Sequence, residues 1–421
     1  LDYQLREGVA LHVIPTKQFK TTQVVINLTA PHERATVTQR SLLANLVELG
    51  SMRYPDQNIV ARKLAEMYGA SFGTDLHKYG TVHSFRFIIS IPNEKFLTST
   101  DDLMDTALDF VKTMIFEPLV TDTGFDQAIF DRQKANMAAD FASIIDDKQS
   151  YAAQKLADLY FGDDQAIPSY GQAADLDEIT PASLLAYYQE MLAQDQVDMF
   201  VLGDVEPDAV VTKLSALPFE ARPKLTTNVN YQQASKPTVL RETDHFDVSQ
   251  AKLNLAYQFP VDIKTDERFA ATVFNALFGA SPLSKLFVNV REKASLAYYA
   301  SSQLSTTTQS LTVQTGIEGQ NLELVLAIID EQIKAIQTGD FTDEDLKNVI
   351  ANLVNSYESS LDSPRMMIER AAVQSITGRQ TSVNSWLDKI EAVTKAEVMA
   401  VAQHLNLQAI YFLTGDDNGK D

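Results

Sequence analysis

Residues 40–55, RSLLANLVELGSMRYP, have the spacing of a catalytic zinc helix. Ser41, Ala44, Asn45 and Glu48 recur at i, i+3, i+4 and i+7, which places them on one helical face. Two histidines one turn apart at such positions share a metal ion, and a glutamate between them serves as the base that activates water. The residue types here do not fit that chemistry, because no imidazole stands on the face and no glutamate lies between Ser41 and Asn45. The chain has no cysteine, which excludes thiolate zinc, disulfides and cysteine nucleophiles together. Its six histidines, at 12, 32, 77, 83, 245 and 404, include no pair at helical metal spacing. His77 and His83, if placed along one strand face, stand roughly 20 Å apart, too far for one ion. No metal and no cofactor are expected.

The element that positions this face is a helix over about 36–49. Leu42, Leu43, Leu46 and Leu49 form its buried stripe, Ser41, Ala44, Asn45 and Glu48 its other face, and Gly50 is a left-handed stop. A strand, TQVVINLTAP, precedes it and a second helix, Asn58 to Tyr68, follows. ASFGTDLHKYGTVHSFRFIIS then reads as two strands about a turn at Gly80. Helical patterns occupy about 97–116, 122–160 with a break near Asp146, and 180–193, and DMFVLGDVEPD closes the half with a strand and turn.

The same order returns after residue 250: strand KLNLAYQF, helices FAATVFNALFG and PLSKLFVNVREK, strands over 296–316, long helices and a terminal AIYFLTGDD. HSFRFIIS begins at 83 and QSLTVQTG at 309, an offset of 226. Phe125, Ala135, Asn136, Ser143 and Asp146 recur 216 residues later as Phe341, Ala351, Asn352, Ser359 and Asp362, and the LGD and TGD triplets pair at 212. Equivalent order with a slowly drifting offset indicates internal duplication. The expected organisation is a first domain over 1–215, a linker over 216–243 rich in Pro, Thr, Asn and Gln, and a second domain over 244–421. Strands and long helices fall in blocks, so the fold class is α+β. Each copy is expected to be a largely antiparallel sheet with helices packed on one face.

With 421 residues, 45% hydrophobic and 22% charged, the chain is long enough for two packed cores. A net charge of -21 opposes binding to phosphate backbones or an anionic bilayer, so neither nucleic acid nor membrane is an expected partner. No apolar run approaches the ~20 residues of a membrane span. With no visible secretory signal, the cytoplasm is the expected compartment.

The frame of residues 40–55, with its Gly-Ser and Tyr-Pro, resembles the insulinase or pitrilysin-type metallopeptidases, the family that includes the mitochondrial processing peptidase. Their inverted His-x-x-Glu-His motif maps its metal histidines onto Ser41 and Asn45 and its base onto Ala44. The distal glutamate pattern maps onto Gln133 and Asp140. The second copy keeps the family's other signature in SPLSKLFVNVREKASLAYYASSQLS, with Arg291 and Tyr298 at the Arg, six residues, Tyr spacing. Ser295 stands where the family usually has glycine.

The resemblance implies a two-domain clam shell of the LuxS/processing-peptidase-like metallohydrolase fold. In active relatives this Arg binds a substrate carbonyl and this Tyr donates toward the developing oxyanion. By residue type alone, the two also suit an Arg paired with a nearby acid and a cross-strand aromatic. Family substrates add as a strand to a sheet edge that maps here to Phe72, Gly73 and Thr74, residues equally suited to an ordinary half-buried edge strand.

The resemblance therefore implies a non-catalytic, zinc-free subunit that binds extended peptide and forms a heterodimer with a zinc-bearing homologue. It also carries an association with elongation factor P modification. The alternative is a peptide-binding or structural scaffold with no peptidase partner.

Overall fold

The computed structural model describes residues 1–98 and 102–415; Asp416 of the TGD triplet lies outside the described residues. In chain order the first strands are β1 (Asp2–Arg6), β2 (Val9–Pro15) and β3 (Thr21–Pro31). Helices α1 (Arg34–Val47) and α2 (Gln57–Glu66) lead to the hairpin β4 (Ser71–Tyr79) and β5 (Val82–Pro92). After α3 (Leu103–Phe116) and the short pair β6 (Val120–Thr121) and β7 (Gly124–Phe125) come α4 (Gln127–Ser143), α5 (Lys148–Phe161) and α6 (Pro181–Gln194). Strand β8 (Gln196–Gly203) and α7 (Pro207–Ser215) follow. No helix or strand occurs between α7 and β9 (Leu240–Phe246), so the first strand of the second sheet begins ahead of residue 244. Then come β10 (Ala251–Gln258), α8 (Glu267–Phe278), a π-helical turn at Phe287–Lys293, β11 (Ala297–Ser305) and β12 (Ser310–Ile317). The chain ends with α9 (Leu322–Thr338), α10 (Asp343–Ser360), α11 (Pro364–Thr377), α12 (Val383–Glu391), α13 (Lys395–Ala402) and β13 (Asn406–Gly415).

The duplication is visible in the sheets. One has the order β1-β2-β8-β3-β5-β4 and the other β11-β12-β10-β13-β9. Read from opposite ends they correspond, down to one parallel pair in each, β2 with β8 and β9 with β13, among antiparallel neighbours. Alternation along β3 sends Val24, Ile26 and Leu28 into a core with α1, α3 and α6, while Val25 packs on the opposite face.

That opposite face is covered by a helix from the other half of the sequence. The first compact unit comprises Leu1–Ala142, Ile167–Asn228 and Ser360–Gly378; the second comprises Ser143–Ala166, Val229–Ser359 and Arg379–Asp421. Ile368 and Ala372 of α11 thus pack on Val25, Phe200 and Leu202 of the first sheet. Ala152, Leu156 and Tyr160 of α5 pack on Ala256, Ala409 and Tyr411 of the second. The exchanged helices have matching ends. Asp147 caps α5 and Gly162 ends it at φ 70°, while 216 residues on Ser363 caps α11 and Gly378 ends it at φ 67°.

Polar groups fix both faces of the first sheet. On the α1 side, fully buried Arg40 donates to Asp195 (2.6 Å), to the Leu28 carbonyl (2.7 Å) and to the Tyr187 hydroxyl (3.1 Å). Burial opposes its charge, but Asp195 and Tyr187 outweigh burial and hold its pKa above the ordinary arginine value. On the α11 side, Arg86 pairs with Glu369 at 2.6 Å and donates to Tyr79, whose hydroxyl also donates to Glu369. Farther along α11, the Ser375 hydroxyl donates to Asp198, which also bonds His12 at 2.8 Å.

Two outcomes follow from these contacts. Arg40→Met should cost about 3–5 kcal/mol in chemical denaturation, because it strands the buried Asp195, and adding Asp195→Leu should recover most of that loss. Burial disfavours protonated His12, yet its hydrogen bonds to Asp198 and Asp2 raise its pKa above 6.5. The stability it contributes is fully present below 6.5 and lost as pH rises through the raised folded value. Thermal unfolding across that window should show a falling Tm in the wild type, and His12→Asn should remove that part of the slope.

Candidate functional site

Helix α1 carries the metal-motif positions, but they do not form one exposed polar face. Ser41 and Ala44 are buried with Leu42, Leu43, Leu46 and Val47, whereas Asn45 and Glu48 are exposed and Leu49 is half-buried. The expected division of the helix is corrected accordingly: its apolar contact spreads beyond the leucine stripe, because β4 and β5 both pack beneath it. Gly50 is also not a left-handed stop, being absent from the positive-φ glycines. A Cβ there would lie 2.5 Å from the Tyr54 carbonyl oxygen, so the glycine serves close backbone approach in the turn where Ser51 N–H donates to that oxygen at 2.9 Å.

The donor set does not fit zinc. A hydroxyl, a methyl group and a carboxamide occupy the three positions on α1, and Asp140 is exposed on α4. Among the described residues no group of three or more His, Asp or Glu could hold a metal. His77 and His83 lie on paired strands and not along one strand, since Lys78 is opposite His83 and His77 opposite Ser84. That register turns them to opposite sheet faces. His77 bonds Asp75 at 2.9 Å. His83 is buried and bonds the Ser169 carbonyl at 2.8 Å; burial first, then the charges of Arg40 and His32, push its pKa well below the ordinary value.

Phe72, Gly73 and Thr74 lie on β4, an edge of the six-stranded sheet, paired on one side only with β5. Phe72 turns inward, edge-on to Phe110 with ring centroids 5.3 Å apart, so only its backbone is offered at the edge. Thr74 N–H points away from β5 and donates to Glu48 Oε2 at 3.1 Å. Its hydroxyl lies 3.0 Å from the same oxygen and 3.1 Å from the Ala44 carbonyl oxygen. The next amide of that parity, Leu76 N–H, donates to Asp75 Oδ1 at 2.9 Å.

Tyr298 lies on β11, the corresponding edge of the second sheet, and Arg291 lies in the turn just before it. Arg291 lies in the π-helical turn with its guanidinium 4.5 Å from the Phe287 ring. Ser295 adopts φ 54°, the left-handed conformation for which glycine is suited, so the serine meets the turn's demand at some steric cost. Ala297 pairs with Ile317 and Tyr299 with Gly316, leaving Tyr298 as the extra residue of a β-bulge. Tyr298 is 64% exposed. The offset of 226 brings the two edge segments together, although in register Phe72, opposite Ile89, corresponds to Ala300, opposite Thr315; the bulge and the Glu48 contact have no sequence signal of their own.

Residues 178–353 match the family model described as the peptidase M16 inactive domain. The chain is 31% identical over 412 residues to the "Probable inactive metalloprotease YmfF" of Bacillus subtilis (strain 168), covering 97% of this chain and 96% of that protein. It also matches the crystal structure of a conserved protein from Enterococcus faecalis V583 with TM-score 0.94 and 40% identity, over 100% of this chain and 99% of that one. At 20% identity, a peptidase M16 inactive domain from Pseudomonas fluorescens shares the fold, with TM-score 0.82 over 100% of this chain and 99% of that one. A helix with the motif's spacing but without its ligands, together with these likenesses, leads to one conclusion: the chain belongs to the M16 peptidase family and is one of its inactive, non-catalytic members.

Proposed function

We propose that this chain is the zinc-free subunit of a two-chain metallopeptidase, pairing with a homologue that carries the His-x-x-Glu-His motif. The partner supplies zinc and the base. This chain supplies the β4 edge at Phe72–Thr74 for extended peptide, and Arg291 and Tyr298 for contact with the reacting carbonyl. The observation that carries this reading is Tyr298: a phenol exposed on a bulge, following an Arg in the family spacing, in a chain whose own metal positions are Ser41, Ala44 and Asn45. A bulge re-aims a side chain out of the ladder, and a donor aimed at a developing oxyanion stabilises the transition state more than the ground state. A cytoplasmic setting and a link to elongation factor P modification belong to the same proposal.

Affinity capture of the chain from its own cell extract should recover a stoichiometric homologue bearing the zinc motif. Recovery of the chain alone, or within an unrelated complex, would instead identify a scaffold. In the reconstituted pair, Tyr298→Phe should lower turnover ~100-fold with little change in KM. A loss of less than a few-fold would remove Tyr298 from the chemistry.

A further inference from the structure

The outward amides of an edge strand are what a peptide pairs with when it adds to a sheet. On β4 two successive outward amides already have carboxylate partners, Thr74 with Glu48 and Leu76 with Asp75. Glu48 is the residue that follows the last turn of α1, is exposed, and takes both the N–H and the hydroxyl of Thr74 on one oxygen. A carboxylate oxygen on a strand amide occupies the place of an incoming peptide carbonyl, and as a charged acceptor it is the stronger of the two.

The second copy shows the same contact in another material. Ser302, 228 residues after Thr74, sends its outward N–H to the Gly279 carbonyl oxygen at the end of α8, at 3.2 Å. Its hydroxyl donates to Asn275 Oδ1 at 2.7 Å. There the cap is main chain, and removing it would mean moving the helix end. On β4 the cap is a side chain, which leaves by rotating about its own bonds.

The geometry points to Glu48 as an intramolecular competitor for the peptide-binding edge: its carboxylate holds β4 closed, and extended peptide binds by displacing it from Thr74. This rests on the reading of β4 as the peptide edge and adds the residue that sets its affinity. The edge is shielded from adventitious strand pairing while empty, and a peptide must compete with a charged acceptor to enter. Glu48 acts through Thr74 and touches no reacting group, so it is not a catalytic residue and its effect is on the affinity of the edge.

The test uses the full chain and, as probe, a fluorescein-labelled dodecapeptide of alternating valine and lysine, which favours an extended strand and suits the chain's net charge of -21. Fluorescence anisotropy should show Glu48→Ala binding about 10-fold more tightly than wild type, a change of ~1.4 kcal/mol. Glu48→Gln, which keeps shape and an acceptor but not the charge, should fall between them. Loss of a negative charge would by itself weaken binding of a cationic probe, so a gain cannot be a bulk charge effect. Thr74→Pro, tolerated where an edge N–H faces outward, should cancel the gain when combined with Glu48→Ala. Hydrogen exchange at Thr74 should quicken in Glu48→Ala, and matched Tm values check that the variants fold; Glu48→Gln carries the test if Glu48→Ala does not.

If neither Glu48 variant binds more tightly than wild type while Thr74→Pro still weakens binding, β4 is the peptide edge and Glu48 does not guard it. If no substitution changes affinity, β4 is not the peptide edge and both ideas fall.

Discussion

The arrangement of the first unit turns on one buried cation. Arg40 lies a single helical position before Ser41 and has no exposed surface, so its charge must be met inside the protein. The partners that meet it are the C-terminal cap residue of α6, a carbonyl of β3 and a tyrosine of α6, which fixes α1 in both rotation and translation against the sheet. With α1 fixed, Ala44 and Glu48 are delivered to Thr74, one and two turns beyond Arg40. A helix that has lost its metal ligands therefore keeps a mechanical role, since its carbonyl and its terminal carboxylate organise a sheet edge.

Much of this is legible in the sequence because it depends on local patterns. The apolar period of residues 36–49, the Gly80 turn and the break near Asp146 report structure within a few turns of chain, and α1, the β4–β5 hairpin and the gap between α4 and α5 fall there; the helices expected from about 97 and 122 begin instead at Leu103 and, after the β6–β7 pair, at Gln127. The initial hairpin, β1 with β2, escapes that reading although Val9, Leu11 and Val13 alternate after a left-handed Gly8. Hidden from the sequence are the facts that exist only through contacts made in the folded chain. Gly50 reads as a helix stop but is required by a carbonyl four residues on. Ser41 and Ala44 read as a solvated face until the strands beneath them are in place.

The two edge strands show how a duplicated scaffold diverges without changing its topology. Along the equivalent edges one copy has a core-directed phenylalanine and a side-chain-capped amide; the other has a bulge, an exposed phenol and a main-chain cap. None of these differences alters strand order or helix packing. They change only what each edge presents, which is the level at which members of one fold acquire separate roles.

The reciprocal placement of α5 and α11 bears on how such a chain came to exist. A solitary ancestral copy would have carried one helix reaching away from its own sheet and one sheet face left bare, with residues such as Val25 and Phe200 open to water. Two identical copies trading that helix would cure both defects at once, a domain-swapped homodimer closed by symmetry. Fusing the genes of such a pair would preserve the trade inside one polypeptide and free each half to drift, so that one could shed its catalytic residues while the shared architecture held.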